Sequence, residues 1–284
     1  MWPIFYKILA AVIPIVPPRL RFRFWCYWRD RGRRYWDTSI LQRVEGGMLI
    51  KSSSTLRPIE GHITEFVRRN TTVPIPIVID NVTVDGETAL VLSALPGEPV
   101  SWHQDEITAD QAHKMSQQLS GMLAQVRALP PPHAGVCGYG EVPTPVRCER
   151  VGLFSTPYGP WSTVTDFHSH LIKAAMLDVP PEMAEAVWTT IRSSHSRDHR
   201  TCFTHNDLHP GHVLVDSNFN VTGIINWEAA AWMPEYWEYS KATFWPQFQK
   251  PTGWWTNILR EVFPQYELER TAEWYIWQYR QGYS

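Results

Sequence analysis

The sequence predicts an α+β fold, with a small strand-rich lobe followed by a larger helical lobe. Short apolar strand patterns and one helical pattern fill residues 40–95, and longer amphipathic patterns dominate residues 96–284. Leu95-Pro96-Gly97 joins the two parts with residues typical of a turn. The chain of 284 residues is 44% hydrophobic and 19% charged, which is typical of globular proteins and excludes disordered, collagen-like and coiled-coil chains.

The predicted small lobe contains two clear strands and one helix. Residues 48–51 form a compact apolar strand that ends in a lysine, and residues 88–92 form a continuous apolar run typical of a buried strand. Between them, residues 60–69 carry a helical pattern.

The predicted helical lobe begins with its clearest element, residues 108–129. Thr108 and Gln111 have the spacing of a capping box, and a run of three prolines from Pro130 stops the helix. Residues 130–160 are rich in proline and glycine and are predicted to form a loop. Two further amphipathic helices are predicted, over residues 181–192 and 267–280.

Residues 1–39 are predicted to form a separate N-terminal arm. Residues 2–18 are mostly apolar, but Lys7 and four prolines leave the run short of the ~20 apolar residues that a membrane-spanning helix needs. Arginines interleaved with aromatic residues follow, up to residue 34. Residues 2–34 therefore lie either on an anionic membrane surface or against a groove of the protein itself, and we favour packing against the protein.

Charge and cysteine content limit the partners and the compartment. A net charge of -2 argues against a nucleic-acid-binding protein, because phosphate recognition usually requires a basic excess. The four cysteines, at positions 26, 137, 148 and 202, lack the short spacings of metal sites, so we expect reduced thiols in a cytoplasmic protein. Small molecules are the expected partners, and the oligomeric state stays open.

The segment 204–228 is the richest in chemistry. Two apolar strand patterns flank the polar turn 217–220, so a hairpin is expected to bring Asp207 and His212 close to Asn226. Polar residues beside apolar strands must be hydrogen-bonded or functional. The set comprises His205, Asp207, His209, His212 and Asn226.

These residues resemble a known family. His205-x-Asp207, followed by a hairpin and by Ile-Ile-Asn226-Trp227-Glu228, is similar to the catalytic loop and metal-binding segment of the aminoglycoside phosphotransferase and choline kinase family, which has a bilobal protein-kinase-like fold. The resemblance runs from about Leu41 to Phe263 and is greatest to a fungal branch of that family. Its other matching stretches are residues 73–76, 152–159 and 234–242.

The resemblance implies an ATP-binding site in the small lobe. Lys51 resembles the strand lysine that contacts nucleotide phosphates, and Glu60 resembles the helix glutamate that pairs with it. Leu92 and Ala94 would lie in the hinge beside the adenine ring. No GxGxxG motif marks a phosphate loop, although Gly46 and Gly47 offer a flexible turn.

The resemblance also implies catalytic roles and exposes two departures. Asp207 resembles the aspartate that orients or deprotonates the substrate hydroxyl, and His205 resembles the residue that braces the loop. His212 stands where the family has an asparagine, and Asn226 stands where it has an aspartate; both positions hold magnesium. Because Mg²⁺ prefers oxygen ligands and negative charge, we expect ordinary Mg-ATP kinase activity to be weak or absent.

Three functions remain open from the sequence. The protein is a small-molecule phosphotransferase that tolerates the altered positions with Mg²⁺ or Mn²⁺; or the cleft performs non-phosphoryl acid–base chemistry in a biosynthetic pathway of fungal secondary metabolism; or the protein is a non-catalytic pseudokinase. The second and third functions require no ATP or metal.

Residues after the metal-binding segment are candidates for substrate contact, namely Glu228, Trp227 and Glu235. Glu235 and Glu238 would alternatively cap the helix predicted within residues 234–242. The His205-to-His212 run could also gather a transition-metal ion, although Pro210 and Gly211 break any helical face. Six histidines outside this segment are predicted to lie on the surface: His113, His133, His168, His170, His195 and His199.

Overall fold

The computed structural model describes residues 2–35, 41–103, 107–147, 158–243 and 253–281. The chain divides into two compact units. Unit 1 comprises residues 1–97 and 222–228, and unit 2 comprises residues 98–221 and 229–284. Most of the 152–159 stretch lies outside the described residues. No helix in the described part of the chain is both long enough and apolar enough to cross a membrane.

Unit 1 is built on a five-stranded antiparallel sheet with strand order β1-β2-β3-β5-β4. The predicted strands at 48–51 and 88–92 are confirmed as the two central neighbours β3 and β5, where Lys51 lies opposite Leu90. β5 is buried at six of its seven residues, whereas β3 has three buried and three half-buried residues. The strands are β1 (Arg33–Arg34), β2 (Leu41–Val44), β3 (Met48–Ser53), β4 (Val78–Val84) and β5 (Glu87–Ser93).

Two helices, α1 (Trp2–Val12) and α2 (Pro18–Arg31), pack against one face of this sheet. Trp25 is buried among sheet residues and donates its indole N–H to Asp80 Oδ2 at 2.7 Å, and Arg21 pairs with Oδ1 of the same carboxylate at 2.8 Å. The N-terminal segment therefore packs on the protein itself, as favoured from the sequence.

The helix predicted over 60–69 is confirmed as α3 (Ile59–Asn70). The segment 222–228 also belongs to unit 1, and the Ile224 N–H donates to the Pro74 carbonyl at 3.1 Å. This bond fixes the segment that carries Asn226.

Unit 2 is mainly helical. The predicted capping box of Thr108 and Gln111 is confirmed at the start of α4, and the helices predicted at 181–192 and 267–280 are confirmed as α6 and α9, whose apolar sides pack together. The helices are α4 (Ala109–Arg127), α5 (Val164–Ala175), α6 (Pro181–His195), α7 (Trp237–Ala242), α8 (Gly253–Val262) and α9 (Glu267–Gln278).

Short strands of unit 2 carry the candidate catalytic loop. β11 pairs antiparallel with β7 and β8, and β6 pairs antiparallel with β9. The predicted turn between β9 and β10 is closed by the Asp216 N–H, which donates to the Asn220 carbonyl at 3.0 Å. The strands of unit 2 are β6 (Glu98–Pro99), β7 (Cys137–Gly138), β8 (Thr201–Thr204), β9 (Val213–Val215) and β11 (Ala231–Pro234), and β10 (Val221–Ile224) lies almost entirely in unit 1.

Candidate active site

The loop that follows β8 is held by a buried asparagine. Asn206 has a left-handed backbone with a φ of 62°, which asparagine adopts more readily than most residues. Its side-chain amide donates to the carbonyls of Arg147 and Ala229, both at 2.9 Å, and its carbonyl accepts the indole N–H of Trp237 at 2.9 Å. These bonds join Asn206 to three other segments of unit 2, at Arg147, Ala229 and Trp237, so the turn before Asp207 is rigid.

A buried glutamate from α7 anchors the same loop. Glu238 accepts the backbone N–H groups of His205, at 2.6 Å, and Asn206, at 3.2 Å. Burial raises the pKa of Glu238 to about 7, although these two amide bonds favour the charged form. Glu238 thus satisfies two buried donors that β8 leaves at its end.

Asp207 has charged or polar groups on both sides of its carboxylate. Oδ1 lies 3.4 Å from Lys241 Nζ, and Oδ2 lies 3.5 Å from His212 Nδ1. Burial alone would raise the pKa of Asp207, but Lys241 and the neighbouring histidines hold it below its usual value. The Asp207 N–H donates to His205 Nδ1 at 3.2 Å, so His205 contacts the loop in the way a bracing residue would.

The histidines after Asp207 turn back towards it. His212 Nδ1 donates to the Asp207 carbonyl at 2.8 Å, while His209 Nδ1 accepts the Gly211 N–H at 3.0 Å. Burial, with His212 as the next cause, lowers the pKa of His209 to about 2, so its ring stays neutral. One ligand atom from each of Asp207, His209 and His212 falls within 4.8 Å of the others, so these three could hold a metal ion.

In unit 1, Lys51 is the centre of a polar network. Its Nζ lies 2.7 Å from Glu60 Oε2, 3.0 Å from Asn226 Oδ1 and 3.9 Å from Glu228 Oε2. Burial raises the pKa of Glu60, and Lys51 opposes that shift. Asn226 has a φ of 65°, again a conformation that asparagine tolerates. Strand β3, helix α3 and the segment 222–228 thus meet at one ammonium group.

The predicted hinge residues lie at the end of β5. Leu92 is opposite Leu49 in the sheet and packs in an apolar cluster with Leu41 and Leu90, against which Ala94 also packs. The Ala94 N–H donates to the Gly47 carbonyl at 2.8 Å.

The three predicted substrate residues differ in their surroundings. Trp227 is fully buried, and its indole N–H donates to the Ile224 carbonyl at 3.0 Å. The Glu228 side chain is 39% exposed, while its backbone carbonyl accepts from Arg57 at 2.9 Å. The Glu235 carboxylate lies 3.1 Å from Arg200 Nε and 3.6 Å from His199 Nδ1. Only Glu228 therefore combines a carboxylate with substantial exposure.

Sequence reasoning missed the residues that support Asp207. From the sequence, Glu238 is expected either to contact a substrate or to cap a helix, and Asn206, Trp237 and Lys241 have no expected role. Glu238, Trp237 and Lys241 in fact contact the loop, and Asn206 lies within it. The spacing of Trp237, Glu238 and Lys241 on one short helix was the available signal, because such polar residues in an otherwise buried helix need partners.

The prediction that the other histidines lie on the surface is wrong for three of them. His168 is 3% exposed, and the side chains of His195 and His199 are 9% and 5% exposed. The ring of His168 stacks on that of His195 with centroids 3.9 Å apart, and its Nε2 lies 2.8 Å from the Tyr236 hydroxyl. No local pattern predicts this cluster, because α5, α6 and the loop after α6 come together only in the folded unit.

Comparisons with known proteins agree on one fold. The sequence profile described as the phosphotransferase enzyme family matches residues 27–274. A thermostable mutant of aminoglycoside phosphotransferase APH(4)-Ia in complex with AMP-PNP and hygromycin B has a TM-score of 0.60 at 13% identity, covering 86% of this chain and 82% of its own. Its apo form has a TM-score of 0.57 at 15% identity, covering 83% and 79%. Comparison with curated proteins gives no match.

A more distant structure, the streptomycin–ATP–APH(2")-IIa ternary complex, has a TM-score of 0.50 at 12% identity and covers 86% of this chain and 81% of its own. Likeness at these identities shows the fold alone. The predicted α+β, protein-kinase-like fold is confirmed.

Proposed function

Because the chain belongs to the phosphotransferase enzyme family, we propose that it transfers a phosphoryl group from ATP to a hydroxyl group of a small molecule, with an altered metal requirement. The observation that carries this proposal is the Lys51–Glu60 ion pair at 2.7 Å, since kinase-type phosphoryl transfer requires this strand-to-helix pair to be in place.

Lys51 is suited to hold the phosphate groups of a nucleotide. ATP, when bound, supplies the phosphoryl group, and its triphosphate carries the negative charge that an ammonium group attracts. Glu60 fixes the ammonium from a side chain that is only 3% exposed, and Asn226 gives it a neutral second partner. Among the described residues, Glu60 is the one carboxylate within hydrogen-bond distance of the Lys51 ammonium group. The ammonium group can therefore still attract a phosphate group.

Asp207 is suited to receive the hydroxyl group of the acceptor. Its lowered pKa keeps the carboxylate ionised at neutral pH, so it can accept a hydrogen bond from the hydroxyl and then its proton. Bracing by Asn206 and Glu238 keeps the loop fixed, which is what orientation of a nucleophile demands. We assign Glu228 the role of contacting polar groups of the acceptor, because its carboxylate is partly exposed.

The residues at the two family magnesium positions do not fit an ordinary Mg²⁺ site. Mg²⁺ prefers carboxylate, carbonyl and water oxygens in an octahedral array. His212 offers imidazole nitrogens, one of which already donates to Asp207, and the Asn226 oxygen accepts from Lys51. We therefore assign no step to magnesium, and we expect Mn²⁺ or another transition-metal ion to support activity better than Mg²⁺.

Nucleotide binding and ATP hydrolysis test the proposal. We expect a thermal shift with ATP that Lys51→Met abolishes, and slow ATP hydrolysis that is faster with Mn²⁺ than with Mg²⁺. The double variant His212→Asn with Asn226→Asp should raise Mg²⁺-dependent hydrolysis at least tenfold, because it restores oxygen ligands and one negative charge.

A matched control makes the same chemical exchanges at exposed positions of α3. His62→Asn with Asn70→Asp should leave hydrolysis unchanged, since both side chains face solvent. Failure of both the wild-type protein and the double variant to bind ATP with any of these metals would overturn the proposal.

A second candidate function is acid–base chemistry without phosphoryl transfer. It is favoured by one observation, the set of partners around Asp207, which includes His212 at one of the altered positions. Turnover of a metabolite that persists without nucleotide and is lost in Asp207→Asn would identify it. A protein that binds a ligand but shows no Asp207-dependent turnover would be a non-catalytic binding protein.

A further inference from the structure

Helices α1 and α2 and the turn between them have two contrasting sides. Tyr6 and Trp25 are buried against the sheet, with Leu9, Ile13 and Phe22 packed beside them. The outward side carries apolar residues in positions that would normally be polar on a surface helix. Its exposed members are Ile4, Phe5, Ile8, Val12, Ile15, Val16, Leu20, Phe24 and Tyr27.

This concentration is unusual for the described part of the chain. Thirteen large hydrophobic side chains are exposed there, and nine of them fall within residues 4–27. Ile15 is 81% exposed and Ile4 is 69% exposed. Scattered exposed apolar residues need no explanation, whereas a concentrated set marks an interaction surface. We call residues 4–34 the apolar–basic face.

The same face has a strong positive charge. Residues 4–34 contain eight Lys or Arg residues and one acidic residue, Asp30, giving a formal charge of +7, while the whole chain has -2. Six of these cations are exposed: Lys7, Arg19, Arg23, Arg31, Arg33 and Arg34. The face therefore offers apolar insertion and attraction for anions together.

Exposed apolar side chains together with positive charge favour one kind of binding partner. We propose that the apolar–basic face docks on an anionic membrane surface, with α1 lying in the plane of the interface. Apolar side chains would enter the boundary between head groups and acyl chains, and each Lys or Arg near anionic lipid adds electrostatic attraction. α1, with 11 residues, is too short to span a bilayer. A second copy of this chain would bring two positively charged faces together.

Flotation of the full-length protein with lipid vesicles tests the proposal. We expect binding to vesicles of 70% phosphatidylcholine and 30% phosphatidylserine, at least tenfold weaker binding to pure phosphatidylcholine, and loss of binding as salt rises from 0.1 to 0.5 M. No nucleotide is needed, so this outcome is independent of the phosphotransferase proposal.

Variants then locate the contact. Ile4→Ser with Ile8→Ser should weaken binding to the anionic vesicles about tenfold, because two exposed apolar side chains are removed from the interface. Met176→Ser with Met183→Ser, which changes exposed apolar residues of unit 2, should bind like the wild-type protein. An unchanged thermal melting curve shows that the α1 variant is folded.

Three results would overturn the proposal. They are no binding to anionic vesicles, equal binding to both vesicle types, and equal loss in the two double variants. Self-association of the protein alone that disappears in the Ile4→Ser, Ile8→Ser variant without vesicle binding would instead identify a second copy as the occupant.

Discussion

Two groups of three histidines in unit 2 show that buried imidazoles can suit either a chemical or a structural role. The loop histidines, His205, His209 and His212, surround Asp207. The helix histidines, His168, His195 and His199, lie among Glu269, Glu273 and Tyr236. Both groups combine imidazoles with carboxylates over a few ångströms.

The two groups differ in access to solvent. The Asp207 side chain is 29% exposed and has Lys241 as a counter-charge, whereas Glu269 and Glu273 are 0% and 1% exposed. The Tyr236 hydroxyl links His168 to Glu273, with its bond to Glu273 Oε1 at 3.1 Å. The carboxylate of the loop group is therefore partly accessible to solvent, while the helix group is enclosed and suited to hold α5, α6 and α9 together.

Loss of the Asp207 carboxylate should have the strongest effect on turnover. Asp207→Asn should lower turnover about 10²- to 10⁴-fold, the contribution expected of a positioned general base, while leaving the thermal melting temperature within a few degrees. ATP hydrolysis and thermal unfolding measure the two effects. Unaltered hydrolysis would show that the loop group is as structural as the helix group.

Removal of Glu238 should destabilise the loop that carries Asp207. Glu238→Ala leaves the buried N–H groups of His205 and Asn206 without their acceptor, at about 1–3 kcal/mol each, so the free energy of unfolding should fall by about 2–6 kcal/mol. Urea denaturation measures this decrease in the free energy of unfolding. Glu185→Ala, at an exposed position of α6, is the control and should cost less than about 0.5 kcal/mol.

Burial of His168 should make the protein sensitive to acid. Burial lowers the pKa of His168 to about 4, so between pH 6.5 and 4 the folded state binds fewer protons than the unfolded state. Above pH 6.5 the neutral His168 ring makes its full contribution to stability. This contribution, about 3 kcal/mol, is lost as pH falls from 6.5 through about 4.

His168→Phe should therefore reduce the difference in unfolding free energy between pH 7.5 and pH 4, as measured by urea denaturation. His113→Gln, at an exposed position, should keep the wild-type difference. An undiminished pH dependence in the His168 variant would contradict the assignment.

The smallest expected effect concerns Lys241. Lys241→Met removes the largest charge that lowers the pKa of Asp207, so that pKa should rise. The acidic limb of the pH–rate profile should move to higher pH, and carboxyl NMR should report the same direction. Lys173→Met, an exposed change on α5, should leave the profile in place.

Local signals predicted much of the fold. The Thr108–Gln111 capping box placed the start of α4, and apolar runs placed β3 and β5. The helices α1 and α2 were missed because their prolines indicated breaks, whereas Pro18 in fact begins α2. A proline in the first turn lacks only an N–H that would have no helical partner.

The candidate site was predictable only in part. Asp207 and Lys51 followed from a recognisable pattern, but Glu238 reaches back 33 residues to the His205 N–H, and His168 meets Tyr236 across 68 residues. Contacts between residues so far apart leave no periodic or local trace. The roles of Leu92, Ala94, Trp227 and Glu235 stay predictions, because their contacts with other residues do not test a role in binding.

The discontinuity of unit 1 has a consequence for biosynthesis. Lys51 and Asn226 are 175 residues apart, yet they share one network in this unit. At about 5–20 residues per second, a ribosome needs roughly 10–35 seconds to travel between them. The nascent sheet must wait that long for its last polar partner, so its basic and apolar outer helices are available to chaperones or lipid throughout translation of most of unit 2.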